Sequence, residues 1–591
     1  MKKKYLLGIS LLALLTLGAC SQGLSANPSA TNGNNNDASN YNYNSQITVS
    51  DPVTIDVTEE TGEFSLTAEN GIVTSNGNIY TISAAGTYVA TGKLNGQIVV
   101  EAGENDEVII ELNGTTINYD QDAPIKVLSA DKVEISAKKD TGNIINDNRS
   151  AKTVDSTTSG EGAIYAKTDL KLKGSGTLVV VGNYNNGIHT TKDLTIQKQT
   201  LKVTGYNNAI KGNDSVTITS GEVQAYAKTG NGIKTEQSDV SSKGNQRGTI
   251  AINGGNVYVD SLHDALDASY NIELDVLDAE VNTSLTVKTG TYASYYSKSS
   301  FSATSEKGLK AQNDIVINKG TIVIAASDDA IHANYGETLE NGSKGTGNIT
   351  INDGLIQVAS GDDGLHADNT LTINGGKIVV TGATEGFEGN YIKINGGYSY
   401  IYGTDDGVNC SKKSFSSCGF TMSDGYLDVA VRNGDTDGID SNGTFTLSGG
   451  IIVTRGSPGT SGSNMSTGLD VDGTAQMSGG TLIAFNGLEK TPSLNSGVLY
   501  AGTKSQSSGG MGGPGGRGGQ GGQTSSSSVN LQAGNYTLSG GDMSITFTND
   551  YIYGSFMIYS SSLKTGSTYT LAREGSVVLS WSQSSSSVTI S

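Results

Sequence analysis

Paired carboxylates recur through the middle of this chain: Asp328/Asp329, Asp362/Asp363, Asp405/Asp406 and the group Asp435, Asp437 and Asp440. Hard divalent cations take six to eight oxygen ligands from carboxylates and carbonyls, so Ca2+ is the cofactor this donor set suits. None of these acids follows the spacing of an EF-hand loop. Solvated turn acids with local Asx hydrogen bonds are the plain alternative. His332 and His366 stand beside the acids, which makes zinc conceivable. No third zinc ligand is fixed by spacing and no HExxH motif occurs, so hydrogen bonding to sugar, or mere surface exposure, is the expected role of the two rings. Tyr398, Tyr400 and Tyr402 alternate along one stretch and are expected to point outward together. Exposed phenol faces suit sugar rings, although tyrosine also fills exposed strand positions simply because it favours them. Cys410 and Cys418 bracket a seven-residue insertion. In an exported protein they are expected to pair as a disulfide; a buried free thiol at Cys410 is the competitor.

These residues ride on a repeat. One half of it is a short alternating strand that ends in glycine: IAINGG (250–255), IVINKG (315–320), ITINDG (349–354), LTINGG (371–376) and IKINGG (392–397). The other half is a turn with a small, an aliphatic and a polar residue, as in DDAIH (328–332), DDGLH (362–366) and DDGVN (405–409). Uninterrupted spacings of the small residue are 21 to 24 residues, and longer ones of 30 to 43 fit insertions at turns. Three short strands per unit, divided by Gly/Asn/Asp turns, describe one coil of a parallel β-helix. A propeller needs about 40 residues per blade, and a leucine-rich horseshoe needs its Leu/Asn ladder. Ile331, Leu365, Phe387, Val408 and Ile439 should form one inward column. By alternation the small residues (Ala330, Gly364, Gly407) and the polar ones (His332, His366, Asn409) should face out. Asp264, Asp329, Asp363, Glu385, Asp406 and Asp437 would then rim a shallow strip along one face.

The units DDAIHA, DDGLHAD and LTINGG, the leader AAGTYVATGKLNGQIVV (84–100) with VIIELNGTTI (108–117), and the ending LKTGSTYTL (563–571) resemble a known family. It is the cellulose- and polygalacturonate-binding β-helix family of carbohydrate-binding domain-containing proteins, similar in architecture to pectate lyases. The resemblance covers about residues 50–490. It implies an all-β, right-handed parallel β-helix that binds plant-type polysaccharide and calcium. NNGIH and NNAIK (185–189, 207–211) depart from the pattern by carrying Asn where acids would sit, which puts calcium in those coils in doubt. Because pectate lyases share the architecture, turnover has to be weighed. β-Elimination from a uronate needs calcium and an Arg or Lys base, for which Arg432, Arg455 and Lys310 are the candidates. A hydrolase would instead use Asp pairs such as Asp405/Asp406. Binding without turnover is the expectation, with no catalytic residue; a calcium-dependent lyase and a structural adhesin or spacer are the alternatives.

The ends define the compartment. Lys2, Lys3 and Lys4 precede an apolar stretch from Tyr5 to Leu17, and Leu17-Gly18-Ala19-Cys20 resembles a bacterial lipobox with Cys20 as the lipidated residue. Residues 1–19 read as a signal peptide and 20–50 as a lipid-anchored flexible tether, so the protein is expected at the cell surface, held to the membrane only by its lipid. An N-terminal β segment with the first coils is expected over 51–160, the binding core over 161–490, and a Gly/Ser-rich loop with a C-terminal β segment over 491–591. With 38 Lys+Arg against 58 Asp+Glu, a net charge of −20 disfavours nucleic acid. A monomer that binds polysaccharide is expected.

Overall fold

Triplets such as Ile250-Ala251-Ile252, Ile315-Val316-Ile317 and Ile349-Thr350-Ile351 put two branched aliphatics on one side of each strand and one residue on the other. In the computed structural model, which describes residues 49–153, 160–277, 283–290, 305–432, 434, 436–458, 466–494, 499–502 and 531–590, the flanking isoleucines of all three triplets are fully buried. Each strand pairs in parallel with its counterpart one coil on, so the chain winds as a parallel β-helix with three faces; no helix occurs among the described residues. The inward column expected from Ile331 to Ile439 is present in register, through Leu365, Phe387 and Val408. It continues back through Leu309, Leu266 and Ile233 and forward to Leu469. Burying such aliphatic side chains stabilises by about 1.5–3 kcal/mol each, which is why stacking identical coils is enough to form a core.

The coils begin well before residue 161. Strand Ile79–Ile82 already pairs in parallel with Gln97–Glu101, and Gly86–Asn95 with Glu107–Tyr119. The parallel stack ends where Thr481–Phe485 pairs antiparallel with Phe556–Ser560.

The small residues do not face solvent as alternation predicts. Ala163, Ala209, Ala265 and Ala330 are fully buried within the core, and Gly364, Gly386 and Gly407 occupy equivalent turn positions. A Cβ at Gly386 would collide with Ile401 Cγ2 and stand 2.7 Å from the Gly407 carbonyl oxygen. The chain bends at this residue, so strand alternation does not carry through it, and the bend presses the backbone against the third-face strand of its coil.

That third face is covered along much of its length. Residues 49–60 run across successive coils as a strap: Val49 packs with Tyr258 and Ala325, Lys288 Nζ reaches Asp51 at 2.8 Å, Gln224 Nε2 donates to Val53 O at 2.9 Å, and Glu60 N donates to Thr116 Oγ1 at 2.9 Å. Farther along, a four-stranded antiparallel sheet of Gly534–Gly540, Met543–Asn549, Thr568–Arg573 and Ser576–Ser582 seats its apolar residues on Val379, Tyr400, Tyr426, Val453 and Ile483. Tyr398, Tyr400 and Tyr402 do leave the coil on this face, but Tyr400 is only 6% exposed and Tyr398 and Tyr402 are half-buried. The expected open tyrosine platform is therefore a docking surface for the chain's own C-terminal segment.

Arg455 locks that junction. Fully buried, it pairs with Asp428 and donates from Nε to Asn549 Oδ1 at 2.8 Å and from Nη2 to the Thr548 carbonyl at 2.8 Å. The expected disulfide is absent: Cys410 and Cys418 are both buried free thiols, and Cys418 Sγ donates to the Cys410 carbonyl at 3.2 Å. Cys410 points into the core column, where its side chain packs as a small hydrophobe. Cys20 and Asp435 lie outside the described residues.

Gly386→Ala tests the inward bend. Overpacking of this kind costs about 1–3 kcal/mol, so the variant is expected to unfold at lower denaturant concentration in an equilibrium titration. Unchanged stability would place residue 386 on the solvent side.

Candidate functional site

Alternation sends the middle residue of each first-face strand outward, and register stacks these into a row. From Lys211 it runs through Lys234, Asp267, Lys310, His332, His366, Glu388, Asn409, Asp440 and Asp470. Lysine dominates its first half and acid its last. A second row lies at the turn just before each small residue, and there the side chain closes the backbone of the next coil. Asn231 N donates to Asn208 Oδ1 at 3.0 Å, Lys307 N to Asp264 Oδ1 at 2.8 Å, Asp363 N to Asp329 Oδ1 at 3.0 Å, and Asp437 N to Asp406 Oδ1 at 2.7 Å. An amide oxygen serves as well as a carboxylate oxygen for this bond, which is why early coils carry Asn where later ones carry Asp. A turn acid thus spends one oxygen on the fold and keeps the other for the strip.

The two rows meet around His332 and His366, whose rings stack with centroids 4.2 Å apart and 10° between planes. Neither ring is the open sugar contact expected: His366 is 9% exposed, and both are enclosed by carboxylates. His332 Nδ1 lies 2.7 Å from Asp329 Oδ2 and its Nε2 lies 3.3 Å from Asp368 Oδ1. His366 Nδ1 lies 3.0 Å from Asp363 Oδ2, and its Nε2 lies 3.2 Å from Glu388 Oε2 and 3.3 Å from Asp368 Oδ1. Lys307 caps one end through Asp328 at 2.9 Å and Asp329 at 2.6 Å, and Lys413 caps the other through Glu388 at 2.5 Å. Together these groups line an open cleft of about 530 Å³. Burial opposes ionisation of Asp329, but the hydrogen bond from His332 and the nearby His366 imidazole hold its carboxyl well below the usual range. Burial also opposes a charge on His366, yet the adjacent carboxylates of Asp329, Asp363 and Asp368 raise it well above an ordinary histidine. Asp363 moves the other way: burial, together with the nearby Asp329 and Glu385 charges, pushes it well up.

One donor atom from each of Asp329, His332 and His366 lies within 4.8 Å of the other two, and the same holds for Asp363, His366 and Glu388. Two groups offer oxygen alone, Asp328/Asp329/Asp362 and Asp362/Asp363/Glu385. These groups can hold a metal ion. Oxygen-only sets match the appetite of Ca2+, whereas imidazole nitrogen suits softer divalent ions. Lys307 pairs with Asp328 and Asp329 in the first of these groups, and His366 Nδ1 faces Asp363 in the second.

Two coils on, Asp406, Asp437 and Asp440 have no Lys or Arg partner among the described residues. Burial, reinforced by repulsion from one another and from Asp405, Asp470 and Asp472, pushes all three up to about 7. Sequence reasoning found most of these acids, Glu385 included, but missed Asp368, Glu388, Lys307 and Lys413 as members of the site. Glu388 was findable, since it fills the slot of His366 one coil on; Lys413 sits in an insertion and carries no periodic signal. The three candidate bases are all engaged: Arg455 is buried in the C-terminal junction, Lys310 pairs with Asp264 at 3.2 Å, and Arg432 pairs with Asp550.

Residues 76–344 match the family model of carbohydrate-binding domain-containing proteins. Over that segment the chain is similar to this family. A carbohydrate-binding domain-containing protein of Acetivibrio thermocellus is 36% identical over 132 residues, which is 22% of this chain and 44% of that relative. The chain thus spans less than half of that relative's length. A solved structure of a polysaccharide lyase-like protein from C. thermocellum, a gadolinium derivative, shares 30% identity over 38% of this chain and 86% of that one, with a TM-score of 0.34. The carbohydrate-binding domain match takes in Asp328, Asp329 and His332 and stops short of His366 and the acidic coils that follow.

The acidic trio predicts a pH response. Unfolded aspartates titrate near 3.9, and these three titrate at about 7 when folded. Between those values the folded chain binds more protons than the unfolded one, so in chelator their contribution makes stability fall as pH rises from about 4 to about 7. Asp437→Asn with Asp440→Asn should flatten that stretch in urea titrations. An unchanged slope in the double variant would mean that the trio ionises normally.

Proposed function

We propose that this chain is an exported, lipid-anchored surface protein that binds plant-type polysaccharide, pectin or polygalacturonate foremost, through calcium held on the first face of its β-helix, without turnover. The family match supports the polysaccharide. The calcium reading rests on one observation above others: Asp362, Asp363 and Glu385 bring three carboxylate oxygens within 4.8 Å of one another, a set of hard donors that suits a divalent cation. Asp406, Asp437 and Asp440 give a second position of the same character. Calcium there reverses the local sign of a strongly acidic protein and offers coordination positions to a uronate. This chain's residues hold the ion through the oxygens not spent on backbone bonds and present the strip edge to the glycan. Binding without turnover is favoured because Arg432, Arg455 and Lys310 are each committed to an acid. Cellulose contact through Tyr398, Tyr400 and Tyr402 is dropped, since the C-terminal sheet covers that row.

Pull-down on insoluble polygalacturonate, with and without chelator, tests the reading. Binding should vanish with chelator and return with calcium. Asp362→Asn with Asp363→Asn keeps the amide oxygen that closes the backbone and should weaken calcium and polygalacturonate together by at least about 10-fold, since metal-site partners are worth that much. Retention in chelator would sink the bridging mechanism, and growth of ultraviolet absorbance on polygalacturonate would establish a lyase instead.

The anchor has its own test. Cys20→Ser should abolish lipidation and move the protein from the membrane fraction to the soluble one; unchanged membrane retention would refute the lipobox reading.

A further inference from the structure

Charge balance around the stacked histidines is unusual. Asp329, Asp363, Asp368 and Glu388 surround two imidazoles, and the only lysines paired to this group are Lys307 and Lys413 among the described residues. The remaining negative charge is met either by protons on the rings or by a bound cation. Two imidazolium ions stacked at 4.2 Å repel each other. His366, about nine-tenths buried, turns Nδ1 toward Asp329 Oδ2 at 3.7 Å, on the same edge as His332 Nδ1. Two buried ring nitrogens converging on one carboxylate oxygen are what a ligating pair looks like between coils.

We infer that Asp329, His332 and His366 form a binding site for an imidazole-preferring divalent transition metal such as Zn2+, distinct from the oxygen-only calcium positions. The donor types match: two nitrogens and a carboxylate are a common zinc set, and calcium has no use for the nitrogens. Scale fits as well. Donors around such an ion stand about 3.4 Å apart when bonds are about 2.1 Å, and the three donor atoms here lie within 4.8 Å of one another. Parallel rings direct their lone pairs side by side, so the ion draws the rings out of their stack by a small tilt. Glu388 and Asp368, on the Nε2 side, are placed to orient the rings. Binding replaces protons: the ion enters as the rings give theirs up, and each proton leaves to solvent. The inference does not rest on polysaccharide binding, and its test contains no glycan.

The test titrates Co2+, a coloured stand-in for Zn2+, into the full chain after chelator treatment, in buffer with millimolar calcium to fill oxygen sites. One ion per chain should bind with a visible absorption band, and Zn2+ should displace it. Proton release should accompany binding, so affinity falls as pH drops from 7 to 6. His332→Gln and His366→Gln should each weaken Co2+ by at least roughly 10-fold, the least that loss of even an outer-shell partner costs, while Asp542→Asn, at an exposed turn of the C-terminal sheet, should leave it unchanged. If one histidine variant fails to fold, the other carries the comparison, and the proton release of the unmodified chain stands independently. No visible band at millimolar Co2+, or a band that survives both substitutions, would overturn the site.

Discussion

In a parallel coil every side chain meets the residue of the same position about 4.8 Å along the axis. That in-register stacking governs both sides of the wall. Inward it is favourable without further design, because aliphatic stacks on aliphatic and Phe420 lies flat on Phe445 with centroids 5.4 Å apart. Outward it penalises repetition of charge. The first-face row answers by changing sign between coils, Lys234 below Asp267 and Asp267 below Lys310. Where it does not, as with Asp440 below Asp470, the cost surfaces as carboxyls that resist ionisation. The functional strip is thus the place where the stacking rule is violated.

The three faces are put to different uses. The third is closed by the strap and by the C-terminal sheet. At the edge of the second, the Asn of the INGG turns forms an amide ladder, Asn352 to Asn318 at 2.7 Å, Asn374 to Asn352 at 2.8 Å and Asn395 to Asn374 at 2.9 Å. Each amide donates to the coil before it, so repulsion between identical side chains is converted into hydrogen bonding. Turn acids of the first face play a comparable part toward backbone N–H groups, which separates their structural oxygen from the one available to ligand.

Periodicity made the coil, its inward column and the acid row legible, because those features repeat and repetition is what sequence displays. Ile331 through Ile439 followed directly from it. The bend at Ala330 and Gly364 was misjudged, since alternation is a rule for strands and the chain leaves strand geometry there. The tyrosines were assigned to the correct side of the wall, but nothing in their spacing announced that residues about 120 positions later would cover them, as Tyr426 OH bonding to the Thr546 carbonyl does. Enclosure of the histidines escaped for a related reason: Asp368, Glu388 and Lys413 come from a strand continuation, the next coil and an insertion, and only register brings them together.

The strap runs against the direction in which the coils grow, from beside Ala325 at Val49 back to Thr116 at Glu60. Residue 49 therefore sits on the side of the rod partway along it, not at its N-terminal tip. Load transmitted through that point acts on the rod as on a beam held from its flank. Tension drawn along the axis toward the C-terminal end shears all the strap contacts at once, Asp51 with Lys288, Val53 with Gln224 and Ile55 with Lys202. Tension drawn away from the face peels them singly, Val49 first. The hold of the strap on the rod thus depends on the direction of pull, strong under drag parallel to the rod and weak under lift.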